Sequence, residues 1–138
     1  MNAWIILKRT KTIPKTLKEG CLEFPITIGE HIRKKRMDLG LYQSDVGKMF
    51  GVSKDCITYW ENGRNEPQIK YYPRIISFLW YNPIAADEST IAGQVFAYRC
   101  VNGFSQRRLA KLLNVDPTIV KAWEMCASKP SKKLIKMV

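Results

Sequence analysis

Few side chains in this sequence stand where bond-making chemistry would need them. His31 is the single histidine and has no cysteine or carboxylate at a metal-ligand spacing on its own helical face, and the four cysteines, Cys21, Cys56, Cys100 and Cys126, form no C-x-x-C pair. A phosphate-binding glycine loop and a recognisable Ser/His/Asp spacing are also missing, so the expectation is no enzyme, no metal and no cofactor. The cysteines read as small apolar groups buried in a reducing compartment. What recurs is ion-pairing chemistry. Arg36 precedes Glu61 by 25 residues, Arg99 precedes Glu124 by the same 25, and each Glu directly follows a tryptophan, Trp60 or Trp123. Both arginines interrupt apolar helical faces, where an unpaired cation is strongly unfavourable, so the pattern predicts one internal ion pair in each half: Arg36 with Glu61, and Arg99 with Glu124.

These pairs belong to a longer repeat. Residues 28–67 lie on 91–130 at a constant offset of 63 without a gap, with identities that include Ile28/Ile91, Gly40/Gly103, Gln43/Gln106, Val52/Val115 and Pro67/Pro130. In the first copy Ile28, Ile32, Arg36 and Leu39 share one helical face, Thr27 and Glu30 form a capping box, and Gly40 ends the helix. A second helix is expected over about Gln43–Phe50 with Val46, Met49 and Phe50 inward. A third is expected from Lys54 to about Asn62 with Ile57 and Trp60 inward. Gly51-Val52-Ser53 between them supplies a left-handed residue, a core residue and a cap; Asn114-Val115-Asp116, followed by Pro117, meets the same demands with other letters. Gly47 and Ala110 keep the second helix small where the third must cross it. The expectation is an all-α chain of two small bundles in tandem: a basic arm over 1–24, a first domain over 25–83 and a shortened second over 84–138, with Tyr81-Asn82-Pro83 breaking the chain between them.

The apolar run Tyr71–Tyr81, with Pro73 placed to begin a helix, must pack on something, either to close the first core or to meet the second unit or another chain. The second copy lacks its own equivalent. Its open side is expected to dock on the Ile75–Trp80 helix, on Trp4–Leu7, or on a symmetry partner. The charge balance names the larger partner. Twenty-three Lys+Arg against twelve Asp+Glu give a formal +11, divided as +3 over 1–25, +3 over 26–80 and +5 over 81–138, and such an excess attracts polyanions. The early apolar run Ala3–Leu7 is too short for a signal segment or a membrane span, so a cytoplasmic protein with no membrane partner is expected.

The segment Gly29–Pro67, GEHIRKKRMDLGLYQSDVGKMFGVSKDCITYWENGRNEP, resembles nearly the whole core motif of the helix-turn-helix domain found in the lambda-repressor-like, Cro/Xre-type transcriptional regulators of bacteria and phages. The second copy, GQVFAYRCVNGFSQRRLAKLLNVDPTIVKAWEMCASKP, resembles it more loosely, with Met125-Cys126-Ala127 where the first has Asn62-Gly63-Arg64. The resemblance implies a lambda-repressor-like fold whose third helix lies in the major groove of double-stranded DNA. Lys54, Asp55, Thr58 and Tyr59, the side chains left outside once Cys56, Ile57 and Trp60 turn in, would then face bases. Thr118 and Lys121 would do so in the second copy, beside Pro117 and Ala122, which offer little. Phosphate contacts would come from Gln43, Ser53, Asn62 and Arg64, and from Gln106 and Arg107. The implied function is sequence-specific regulation of transcription, by a homodimer or an intramolecular pseudo-dimer, with no small-molecule ligand. The alternative from another class is a protein-interaction module such as an antitoxin.

Overall fold

The computed structural model describes residues 25–137. The expected basic arm over 1–24, with Trp4–Leu7 and Cys21, lies outside the described residues. Among those described, the regular structure is entirely helical. Packing divides the chain at Pro67/Gln68. The first unit holds α1 (Ile28–Asp38), α2 (Gln43–Phe50) and α3 (Lys54–Glu61). The second holds a 3-10 turn (Ile69–Tyr71) followed by α4 (Tyr72–Leu79), α5 (Ile91–Asn102), α6 (Gln106–Leu113), α7 (Pro117–Glu124) and α8 (Lys132–Ile135).

Caps and turns set these bounds. Glu30 N donates to Thr27 Oγ1 at 3.2 Å while Thr27 N donates back to Glu30 Oε2 at 3.1 Å, which closes the capping box that starts α1. Accepting the Ile26 and Thr27 amides also holds the Glu30 carboxyl below its ordinary pKa. The α2–α3 turn passes through Gly51 at φ 72°, and the α6–α7 turn through Asn114 at φ 56°. The next helix is then capped by Ser53, which accepts from Cys56 N, or by Asp116, which accepts from Thr118 N. Two different sets of letters thus produce one backbone path.

In the first unit the turn forces α3 across α2, and the core that results buries Ile32, Val46, Phe50, Ile57 and Trp60. The Phe50 and Trp60 rings tilt together with centroids 6.4 Å apart. Met49, expected inward, is 47% exposed. At 100° per residue, Val46, Phe50 and Gly47 already span the face of α2 turned to the core, and residue 49 falls about 60° beyond Val46, past the edge of that face. Its repeat partner Leu112 is exposed in the same way.

The second unit gathers Val95, Leu109, Ala110, Leu113, Val120 and Trp123, with Ile91, Tyr98, Phe104, Val115 and Leu134 packed around them. Its boundary falls earlier than the expected 83/84 break because α4 and the 3-10 turn pack on α5. Pro73 at the start of α4 comes so close to Gly103, at the end of α5, that a Cβ there would touch the proline ring. Ile75 and Leu79, the apolar face of α4, are fully buried. On the other flank of this core α8 is short, and an apolar dimple remains between Ile91, Val95, Trp123 and Ile135.

The cysteines divide. Cys100 is buried, and burial pushes its thiol up to about 11, whereas Cys56 is partly covered and Cys126, expected inside, is exposed. Cys126 follows the end of α7 with φ 58°, in the left-handed region that Gly63 takes at φ 68° after α3, and a residue so placed points to solvent. A side chain pays for that conformation and glycine does not. Cys126→Gly is therefore expected to raise stability by about 1 kcal/mol, read as a higher urea midpoint at unchanged slope. In the native protein a thiol reagent should modify Cys126 well before Cys100, as mapped by mass spectrometry.

Candidate nucleic-acid interface

At the centre of the first unit Arg36 reaches from α1 to the end of α3. Its Nε donates to Glu61 Oε1 at 2.6 Å and its Nη2 to Glu61 Oε2 at 2.8 Å, while Nη1 donates to the Leu41 carbonyl at 3.1 Å. The Glu61 side chain is only 2% exposed. The second unit repeats the arrangement at the same offset: Arg99 Nε and Nη2 donate to Glu124 Oε1 and Oε2 at 2.5 and 3.0 Å, and Nη1 to the Phe104 carbonyl at 2.9 Å. Both pairs are bidentate, the strongest geometry open to arginine and carboxylate.

A glutamine is the third member of each network. Gln43 Nε2 donates to Glu61 Oε2 at 2.9 Å, and Gln106 Nε2 to Glu124 Oε2 at 2.7 Å. These two glutamines are expected on phosphates; their amide nitrogens instead turn inward, each adding a third donor to its carboxylate. The signal was visible, since Gln43/Gln106 is one of the identities that recur together with Arg and Glu. The first unit carries the chain one step further, because the Thr58 hydroxyl donates to Gln43 Oε1 at 2.9 Å. Lys121 stands at that place in the second unit, and no such bond forms.

Close backbone approach holds the same corner. A Cβ on Gly29 would collide with the Trp60 carbonyl, so α1 can lie against the end of α3 only with glycine there. The repeat partner of Gly29 is Ala92.

The outward faces of α3 and α7 differ. Lys54, Asp55 and Tyr59 are exposed along α3, and Thr58 between them is half covered. The Arg64 guanidinium sits 5.6 Å from the centroid of the Tyr59 ring, so these two form a stacked pair at the C-terminal end of that face. Asn62 caps α3 and is exposed. Ser53 is exposed as well, but its hydroxyl is spent on capping: it accepts from Cys56 N and donates toward Cys56 Sγ. On α7 the Thr118 hydroxyl donates to Asp116 Oδ1 at 2.5 Å, a bond that holds the Asp116 carboxyl below its usual pKa and occupies the hydroxyl expected on a base. Lys121 and Arg107 are exposed.

The first turns of the corresponding helices α2 and α6 carry opposite charge. In the first turn of α2, Asp45 accepts from Tyr42 N at 2.9 Å and puts a carboxylate where the helix dipole favours anions. In α6 that turn reads Gln106-Arg107-Arg108, capped by Ser105, which accepts from Arg108 N at 3.1 Å. Beside α2 an open cleft is lined by Arg36, Tyr42, Gln43, Ser44 and Lys54. Among the described residues no cluster of His, Cys, Asp and Glu is placed to hold a metal, and no helix is long and apolar enough to cross a membrane.

Compared with known proteins, residues 32–79 match the helix-turn-helix family model. The match runs from within α1 through α4, about a third of the chain, and is a likeness of that stretch to the helix-turn-helix family. Family likeness and packing assign α4 differently, because the same helix that completes the family pattern packs on α5. No curated protein and no solved structure matches the chain.

Breaking a buried bidentate pair strands a desolvated charge, so Glu61→Ala is expected to cost about 3–5 kcal/mol in urea unfolding. Asp38→Ala, which removes the exposed 3.4 Å pair with Lys34, should change stability by less than about 0.5 kcal/mol.

Proposed function

We propose that this chain is a sequence-specific DNA-binding transcriptional regulator of the Cro/Xre helix-turn-helix type, with α3 reading bases in the major groove and the second unit acting as a second copy that chiefly grips phosphates. The observation that carries the reading is the two-sidedness of α3. Ile57, Trp60 and Glu61 anchor one side in the core, and Lys54, Asp55 and Tyr59 stand exposed on the other, directly after the turn that carries the helix across α2. Lysine can donate to guanine O6 and N7, and aspartate can accept from cytosine N4.

The second unit supports a different share of the work. Its α7 offers few free hydrogen-bonding groups, since Thr118 is tied to Asp116 and Pro117 and Ala122 have none to offer. Arg107, Arg108, Lys111 and Lys121 are all exposed and supply attraction that ignores sequence. Joining such a unit covalently to a base reader raises the local concentration of each at the other's site. A protein-interaction role has its own support in the exposed apolar side chains Leu112, Ile119 and Met125 of this unit.

Selection from a random duplex pool with the intact chain tests the reading. A defined sequence should be enriched, and Lys54→Ala should relax preference at one base pair by about 1–3 kcal/mol. Arg107→Ala with Arg108→Ala should leave the preferred sequence unchanged while lowering the log–log salt slope by about 2. Absence of enrichment at moderate salt, together with a tight complex with an acidic protein, would replace regulation with the interaction role.

A further inference from the structure

Resting on that reading, we infer that Thr58 is a specificity-determining residue that meets the base edge only as a methyl group and a hydrogen-bond acceptor, and that Gln43 is the positioning residue that makes it so. The argument is one of hydrogen-bond direction. Arg36 donates twice to Glu61, so the Glu61 carboxyl is a carboxylate and can only accept. Gln43 must therefore turn its NH2 toward Glu61, at 2.9 Å, and the flip of the amide is settled. With its nitrogen so committed, the other end of the amide is a carbonyl oxygen, and it lies 2.9 Å from Thr58 Oγ1. Thr58 has to be the donor. The second oxygen beside that hydroxyl, the Lys54 carbonyl at 3.1 Å, is again an acceptor. Whichever of the two takes the proton, it points into the protein.

The outward side of Thr58 is left with Cγ2 and the lone pairs of Oγ1. Such a surface can pack on the C5-methyl of thymine or accept from an adenine or cytosine amino group, but it has nothing to donate to guanine N7 or O6. A serine or threonine with a free hydroxyl would accept any of these partners; this one is restricted by the ion pair behind it. In the second unit Lys121 replaces the threonine and the Gln106 carbonyl receives no such donor, so the restriction is a property of the first unit alone.

The experiment starts from the sequence that the full-length chain enriches and measures binding of wild type, Thr58→Val, Thr58→Ser and Gln43→Leu, with each thymine replaced in turn by uracil. Wild type should lose about fourfold in affinity at one position on removal of the methyl, the worth of one buried methyl group. Thr58→Val should keep both the site and this loss, and Thr58→Ser should bind thymine and uracil alike at that position. Gln43→Leu, which removes the nearer acceptor and leaves the hydroxyl only the longer 3.1 Å alternative of the Lys54 carbonyl, should tolerate guanine there better than wild type, with its salt slope and its preference at other positions unchanged, which a general loss of structure would not produce. Thr58→Ser with full methyl discrimination, or a wild-type site with guanine facing Thr58, would overturn the inference while leaving the regulator reading in place. If wild type enriches no sequence at all, both fall together.

Discussion

A guanidinium lifted out of water sets the terms for each unit. Arg36 and Arg99 lie on the inner faces of their helices, and burying a charge there is tolerable only if the donors turned away from water find partners. Each arginine spends two donors on a glutamate 25 residues away and one on a carbonyl five residues on. Those partners lie in two places at once: the loop after the first helix and the end of the third. Satisfying one side chain therefore fixes how the third helix leaves the body. The glutamine that opens the second helix then gives the carboxylate a third donor. No buried side-chain nitrogen or oxygen among the described residues lacks a partner, as a packed interior of this size requires.

The parts of the fold that the sequence made legible are those where local chemistry leaves few choices. Gly51 and Asn114 are the residues that tolerate positive φ, Ser53 and Asp116 are caps, and Thr27 with Glu30 is a complete capping box, so helix starts and ends could be placed from letters alone. The recurrence of Arg and Glu at one separation in both halves made the ion pairs readable, since chance rarely repeats a costly charge. What escaped depends on which way a side chain turns. Gln43 and Gln106 have the right chemistry for a phosphate and the right chemistry for a buried carboxylate, and spacing does not distinguish the two. Met49 was assigned inward because it is apolar; the angular position of a residue on a short helix is settled by its neighbours Val46 and Phe50. The fate of α4 is a tertiary matter, since an apolar helix records that it must be covered and not by what.

The two units share turns and an internal charge network but differ in what their outer surfaces carry. Their turns and internal charge networks keep the same form, yet the first turn of the second helix holds an acid in one and two arginines in the other. Because that turn lies outside the core, the exchange alters the electrostatic field presented to a polyanion without disturbing packing. The close approach at Gly29 and the alanine at 92 show a difference of another kind, in which one unit has a contact that admits no side chain.

The hydrogen bond from Thr58 into the core also bears on how such a protein changes over generations. Lys54 and Asp55 make no side-chain bonds to the described residues, so drift at those positions is thermodynamically cheap and new target sequences are within reach of single substitutions. Thr58 belongs to the scaffold and to the surface together. A lineage that altered it would have to mend the interior in the same step, so this one place on the outward face should evolve at the pace of the core.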